Sequence, residues 1–124
     1  MVIDDDEIDQ MLYARVAAAS GIVRPLLQFS LAAEAMQYFR QTNAQPVDLI
    51  ALDINMPMMS GYDFLDAATT EFGDRFAKAV FVMLTTEISP EEVVRAKSFA
   101  IVKGFARKPI TIETLRSWSG AATF

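Results

Sequence analysis

Three carboxylates stand in a row at Asp4, Asp5 and Asp6, and a fourth, Asp53, ends the short apolar run Leu49-Ile50-Ala51-Leu52. Two hydroxyls, Thr85 and Thr86, follow a second apolar run, and a lysine, Lys108, directly precedes Pro109. Carboxylates held a few ångströms apart repel and raise one another's pKa values, unless a hard divalent cation lies among them. Mg²⁺, with its octahedral oxygen shell, suits two or three carboxylates plus waters. A lysine and a hydroxyl facing that cation would supply the charge and the donor that a phosphoryl group needs for its peripheral oxygens. A carboxylate can itself be the nucleophile and form an acyl phosphate. The chain has neither His nor Cys, which removes thiol chemistry, a histidine general base and zinc sites of the usual kind.

Such chemistry needs elements that bring distant loops together. The run before Asp53, bounded by Pro46 and by Asn55, Pro57, Ser60 and Gly61, is too short for a helix and fits a buried strand. Met1 to Ile3 reads as the end of a first strand, followed by an acidic turn and a helix with Ile8, Leu12 and Val16 at helical spacing. Val23 to Phe29 contains Pro25, which suggests an edge strand or one that begins at the proline. Ser30 can cap a helix with Ala32, Ala35, Met36 and Phe39 on its apolar face.

After Asp53 a helix from about Gly61 carries Phe64, Leu65, Ala68 and Phe72, closed by Gly73. Ala79 to Leu84 reads as a central strand covered on both faces. Ser89-Pro90-Glu91-Glu92 is a helix start with a capping box, and that helix continues to about Phe99. Ile101 to Ala106 is a fifth strand, and Thr111 caps a last helix that turns Ile112, Leu115 and Trp118 inward. Five strand-helix pairs predict an α/β fold with a parallel sheet and helices on both faces. The residues just after the strands then collect along one rim: Asp4, Asp5 and Asp6, Asp53, Thr85 and Thr86, and Lys108.

Length and composition set the bounds. The 124 residues fit one domain, about half of them apolar, with a formal net charge of −5. No apolar run approaches the roughly twenty residues that span a bilayer. The start lacks a signal peptide, so the expected location is cytoplasmic and no membrane partner is expected. The acidic balance argues against nucleic-acid binding by the domain as a whole.

Taken together, these residues resemble the receiver domain of two-component response regulators, similar to the single-domain chemotaxis regulators, over essentially the whole chain. The resemblance rests on Asp4 and Asp5 after the first strand, on Asp53-Ile54-Asn55-Met56-Pro57-Met58-Met59-Ser60-Gly61, on Thr85, and on Lys108-Pro109. It implies a flavodoxin-like doubly wound sheet in the order 2-1-3-4-5. It further implies that Asp53 accepts a phosphoryl group from a histidine of a sensor histidine kinase or histidine phosphotransfer protein. Asp5, Asp53 and the backbone carbonyl of Asn55 would hold Mg²⁺, with Asp4 assisting through water. Lys108 would pair with the phosphoryl oxygens, its bond to Pro109 being cis. Thr85 would turn toward the phosphoryl group as Phe105 rotates inward, switching the surface of helix four, strand five and helix five for a downstream protein target. Asn55 and Glu87 occupy the positions that tune phosphoryl loss. The expected product is a single receiver domain over residues 1–124 without an effector domain, regulatory and not an enzyme, a monomer or weak dimer.

Two features depart from the family pattern: Thr86 stands where a small residue is more usual, and the first strand is cut short, as if residues were missing before it. Other readings compete. A phosphohydrolase of the haloacid dehalogenase type would use the acids at 4–6, Thr85 and Lys108, yet it needs further acids after the lysine, where only Glu113 follows, and leaves Asp53 without a role. A phosphorylation-independent interaction module would not need all five key positions. Asp4 to Glu7 could simply favour the positive end of the first helix. The basic residues Arg95, Lys97, Lys103, Arg107, Lys108 and Arg116 read equally as a face for an acidic partner or as a solvated surface.

Overall fold

The computed structural model describes residues 1–23, 25–41, 45–85 and 89–122, with the backbone alone for 120–122. Among them five strands and five helices alternate: β1 (Val2–Ile3), α1 (Glu7–Ser20), β2 (Gln28–Phe29), α2 (Ala32–Phe39), β3 (Val47–Asp53), α3 (Gly61–Phe72), β4 (Ala77–Leu84), α4 (Pro90–Lys97), β5 (Val102–Arg107) and α5 (Ile112–Ala122). All strand pairs are parallel and the order is β2-β1-β3-β4-β5, as the resemblance implies. β2 lies at an edge, with Pro25 ahead of it and out of the ladder. β4 starts two residues earlier than the apolar run suggests, and α4 ends at Lys97 instead of Phe99.

Alternation along each strand sends neighbouring side chains to opposite faces of the sheet. Ile3, Ile50, Leu52, Val80 and Val82 pack under α2, α3 and α4, where Ala35, Met36, Phe64, Leu65 and Ala96 close the larger core. Val2, Ala51, Ala79, Phe81 and Met83 pack under α1 and α5, where Tyr13, Ile110, Leu115 and Trp118 close the smaller one. Phe81 and Trp118 stack with ring centroids 4.7 Å apart, which fixes α5 over β4.

The helix starts are set by local hydrogen bonds. Ser60 and Ser89 each form a capping box, with Asp63 and Glu92 respectively, and Pro90 opens α4. Thr111 accepts the Thr114 backbone N–H ahead of α5, as expected. At α2 the expectation fails: Leu31, not Ser30, holds the cap position, and no side chain accepts there. The Glu34 carboxylate instead receives the Leu31 N–H and the Ser30 hydroxyl, so the helix starts through its third residue.

The rotation of α1 also differs from the spacing argument. Ile8, expected inward, is 70% exposed, while Tyr13 and Ala17 are buried and Val16 is half-buried. Two periodic sets compete on this helix, and the aromatic one wins because Tyr13 removes more apolar area from water.

The loop after β3 is pinned by α3. The Gly61 N–H donates to Ile54 O at 2.9 Å, and a Cβ on Gly61 would stand 2.5 Å from the carbonyl oxygen of Asp53 and 2.9 Å from Ile54 Cα. Both obstacles are backbone, so nothing can rotate aside. Gly61→Ala is expected to cost about 1–3 kcal/mol through overpacking, read as a lower urea midpoint at unchanged m-value. An unshifted midpoint would show that the backbone yields.

Candidate functional site

Asp53 is the last residue of β3, and Asp4 follows β1, its neighbour in the sheet. Both are buried, Asp4 fully and Asp53 at 6% exposure, while Asp5 is exposed. One carboxylate oxygen from each of Asp4, Asp5 and Asp53 lies within 4.8 Å of the others. Asp6, the third member of the acidic run, is not in this group. It caps α1, its Oδ1 accepting the Ile8 and Asp9 N–H groups at 2.8 and 3.0 Å.

The lysine arrives from the far side of the sheet. The loop after β5 is tied to β4 by a hydrogen bond from Lys108 N to Leu84 O at 2.9 Å, and the Lys108-Pro109 bond is cis. From there the side chain reaches back over the end of β4. Its Nζ lies 2.8 Å from Asp4 Oδ2, 2.7 Å from Asp9 Oδ2 and 3.5 Å from Asp53 Oδ1.

Asp9 is the residue that sequence reasoning missed. It sits one turn before Tyr13 on the buried face of α1, so its placement depends on the helix rotation just described. The pattern Asp9, Tyr13, Val16, Ala17 was the available signal. Gln10 was missed as well: its side-chain amide donates to Asp4 O and to Phe29 O at 2.8 and 2.9 Å, joining α1 to the ends of β1 and β2.

Electrostatics follow from one ammonium among several carboxylates. Burial pushes the Asp53 carboxyl up to about 6, and the nearby Asp4 charge adds to this, while Lys108 pulls it down, Asp5 raises it and the Asn55 N–H lowers it. Burial also raises Asp4, against Lys108 and the Asp6 N–H. For Lys108 burial works against the charge, yet the adjoining Asp4 and Asp9 and the Asp53 charge hold it well above the ordinary lysine value. The lysine is therefore an ammonium at any working pH.

The trio of carboxylates fits a hard divalent cation. All donors are oxygens, and the Asp4 Oδ2 atom is buried with no directed hydrogen bond, its approach to Lys108 being short but poorly angled. Without a cation, burial and the Asp4 charge make ionising Asp53 costly.

The remaining expected residues are more scattered. Thr85, at the end of β4, is exposed and hydrogen-bonds none of these carboxylates among the described residues. Asn55 is exposed beside Asp53. Phe105 is half-buried against the larger core, in register with Val82. Thr86 and Glu87 lie outside the described residues. Of the basic residues, Arg95 is held by Asp66 at 3.4 Å and stands over the Tyr62 ring at 4.8 Å. A separate apolar cavity of about 550 Å³, lined by Tyr13, Leu26, Leu49, Leu115 and Trp118, touches neither Lys108 nor the trio. No helix among the described residues is long and apolar enough to cross a membrane.

Comparison with known proteins identifies the family and the fold. The family model for the response regulator receiver domain matches residues 1–118. A probable chemotaxis protein CheY from Rhizobium etli is 29% identical over 117 residues, covering 94% of this chain and 85% of that protein. A two component response regulator from Cytophaga hutchinsonii has a similar fold, with a TM-score of 0.87 at 21% identity over 98% of this chain and 93% of that one. The chemotaxis protein CheY4 of Vibrio cholerae gives 0.73 at 25% identity over 98% and 94%.

The raised Asp53 value predicts a pH effect. A carboxyl whose folded pKa lies near 6, against about 3.9 unfolded, favours the fold while protonated. That contribution is lost as pH rises from about 4 through 6. At pH 7.5 without divalent cations, Asp53→Asn should therefore stabilise the protein, on the order of 1 to 3 kcal/mol. Thermal melts with and without a chelator measure this, and a destabilised variant would contradict it.

Proposed function

We propose a phosphorylation switch: the chain belongs to the response regulator receiver family, whose model spans residues 1–118, and Asp53 is its phosphoryl acceptor. Receiver domains are regulatory, and the family typically binds Mg²⁺ at an acidic cluster such as the one formed by Asp4, Asp5 and Asp53. The observation that carries the proposal is the Lys108 ammonium, set 2.8 Å from Asp4 and 3.5 Å from Asp53 at the mouth of that cluster.

In the transfer, an Asp53 carboxylate oxygen forms a bond to phosphorus as the P–N bond of a phosphohistidine breaks. The imidazole of the donor leaves with the bonding pair and takes up a proton. The donor is a sensor histidine kinase or a histidine phosphotransfer protein. Asp5, Asp53 and the Asn55 carbonyl, with Asp4 through water, would hold Mg²⁺, which would supply positive charge for the phosphoryl oxygens and favour the ionised form of Asp53. Lys108 pairs with a peripheral oxygen of the group, whose charge grows to about −2. Thr85 donates its hydroxyl to another, and Phe105 follows it inward. The surface of α4, β5 and α5 then binds a downstream protein. Asn55 and Glu87 tune the lifetime of the acyl phosphate.

Acetyl phosphate with Mg²⁺ should label the protein once, at Asp53, with loss of the label on chelation or in Asp53→Asn. Lys108→Ala should keep its affinity for Mg²⁺ yet lose the phosphorylation-dependent shifts at α4, β5 and α5 in amide NMR spectra. Peptide mapping that finds the label on Asp6 or a serine would refute the assignment.

A further inference from the structure

Lys108 has three N–H donors, and its ammonium lies against carboxylates from three different parts of the fold. Asp9 on α1 takes the shortest contact, at 2.7 Å and across 99 residues of sequence, Asp4 lies at 2.8 Å and Asp53 at 3.5 Å. The lysine side chain is 10% exposed and that of Asp9 is 20% exposed, so this is not a solvated surface pair whose geometry is loose. Asp9 also stands outside the trio suited to a cation. Asp4 and Asp53 must divide their oxygens between the lysine, a cation and the incoming phosphorus, whereas Asp9 serves the lysine alone.

We propose that Asp9 is a positioning residue: it fixes the Lys108 ammonium from α1 so that the donor facing Asp53 is aimed at the phosphoryl oxygens when Asp4 is engaged by the cation. This rests on the phosphoacceptor reading of Asp53 and extends it to a fourth carboxylate. Two features hold Asp9 in place. Its backbone N–H is bound by the Asp6 cap at 3.0 Å, and burial of Tyr13 and Ala17 on the same face sets the rotation of the helix. A long lysine side chain without that anchor would sample several rotamers in front of the acceptor. A displacement of about 1 Å can cost up to a hundredfold in rate.

The test follows phosphorylation of Asp53 by acetyl phosphate at saturating Mg²⁺, by intact-mass time course, in the full chain. The variants are Asp9→Ala, Asp9→Asn, Lys108→Ala and the Asp9→Ala/Lys108→Ala pair. Asp9→Ala should slow labelling about tenfold. Asp9→Asn, which keeps an acceptor oxygen at the same reach, should stay within about threefold of the parent. In the Lys108→Ala background Asp9→Ala should change nothing further, since its effect passes through the lysine. Should Asp9→Ala melt below the assay temperature, Asp9→Leu, a good helix former without an acceptor, takes its place. Labelling of Asp9→Ala at or above the parent rate overturns the inference, as does equal slowing with and without Lys108. A parent protein that takes no label removes the phosphoacceptor reading itself, and the role of Asp9 with it.

Discussion

A single ammonium buried among carboxylates is the constraint to which the rest of the structure answers. Asp4, Asp9 and Asp53 all lie within 3.5 Å of Lys108 Nζ, and Asp5 is close enough to join two of them around a cation. Desolvating such a set is unfavourable, and apolar residues in the same space would often give a more stable protein. Burial accordingly drives Asp4 and Asp53 toward their neutral forms while the surrounding negative charge keeps the lysine positive. Stability is spent here on a site whose four carboxylates outnumber its one ammonium, and a divalent cation is what such a site attracts.

The sheet makes that arrangement possible. β1 and β3 are neighbours, so Asp4 and Asp53 come off adjacent strand ends without any long side chain. β5 lies two strands from β3, beyond β4, and only a lysine or arginine can bridge that gap. The bond from Lys108 N to Leu84 O folds the loop toward β4 and shortens the distance still to be covered. Both apolar layers contribute: the larger fixes β3 through Ile50 and Leu52, and the smaller fixes α1 through Tyr13 and Val16. The site thus inherits its precision from packing on each face of the sheet.

Residues whose position follows from strand ends were legible in the sequence. Asp4, Asp5, Asp53 and Lys108 each close an apolar run beside turn residues, and parallel topology alone carries them to one rim. The capping box at Ser89 was equally open to reading, because its partner is three residues away, while Ser60, read only as a turn residue, caps α3 in the same way. Asp9 was not, since it depends on which of two apolar stripes of α1 turns inward. Ile8, Leu12 and Val16 fit the helical period as well as Tyr13 and Ala17 do, and the larger apolar area that Tyr13 buries chooses between them. The cap of α2 failed for a similar reason. Ser30 has the right chemistry, but its hydroxyl donates to the Glu34 carboxylate, which also takes the Leu31 N–H from within the helix.

Lys108 also links the site to the rest of the molecule. Its backbone is bound to β4, its side chain to α1 and β1, and its chain continues through Ile110 and Thr111 into α5. A new dianion on Asp53 would compete with Asp4 and Asp9 for the same three donors. The ammonium makes one hydrogen bond, to Asp9, and two close approaches, to Asp4 and Asp53, so a stronger pull from Asp53 acts against the first. A rearrangement of the lysine would therefore reach both α1, which holds its side chain, and β4, which holds its backbone. Under the proposed function this is how a local change of charge becomes a change of surface: the switch lies less in the acceptor than in the one cation that several elements have in common.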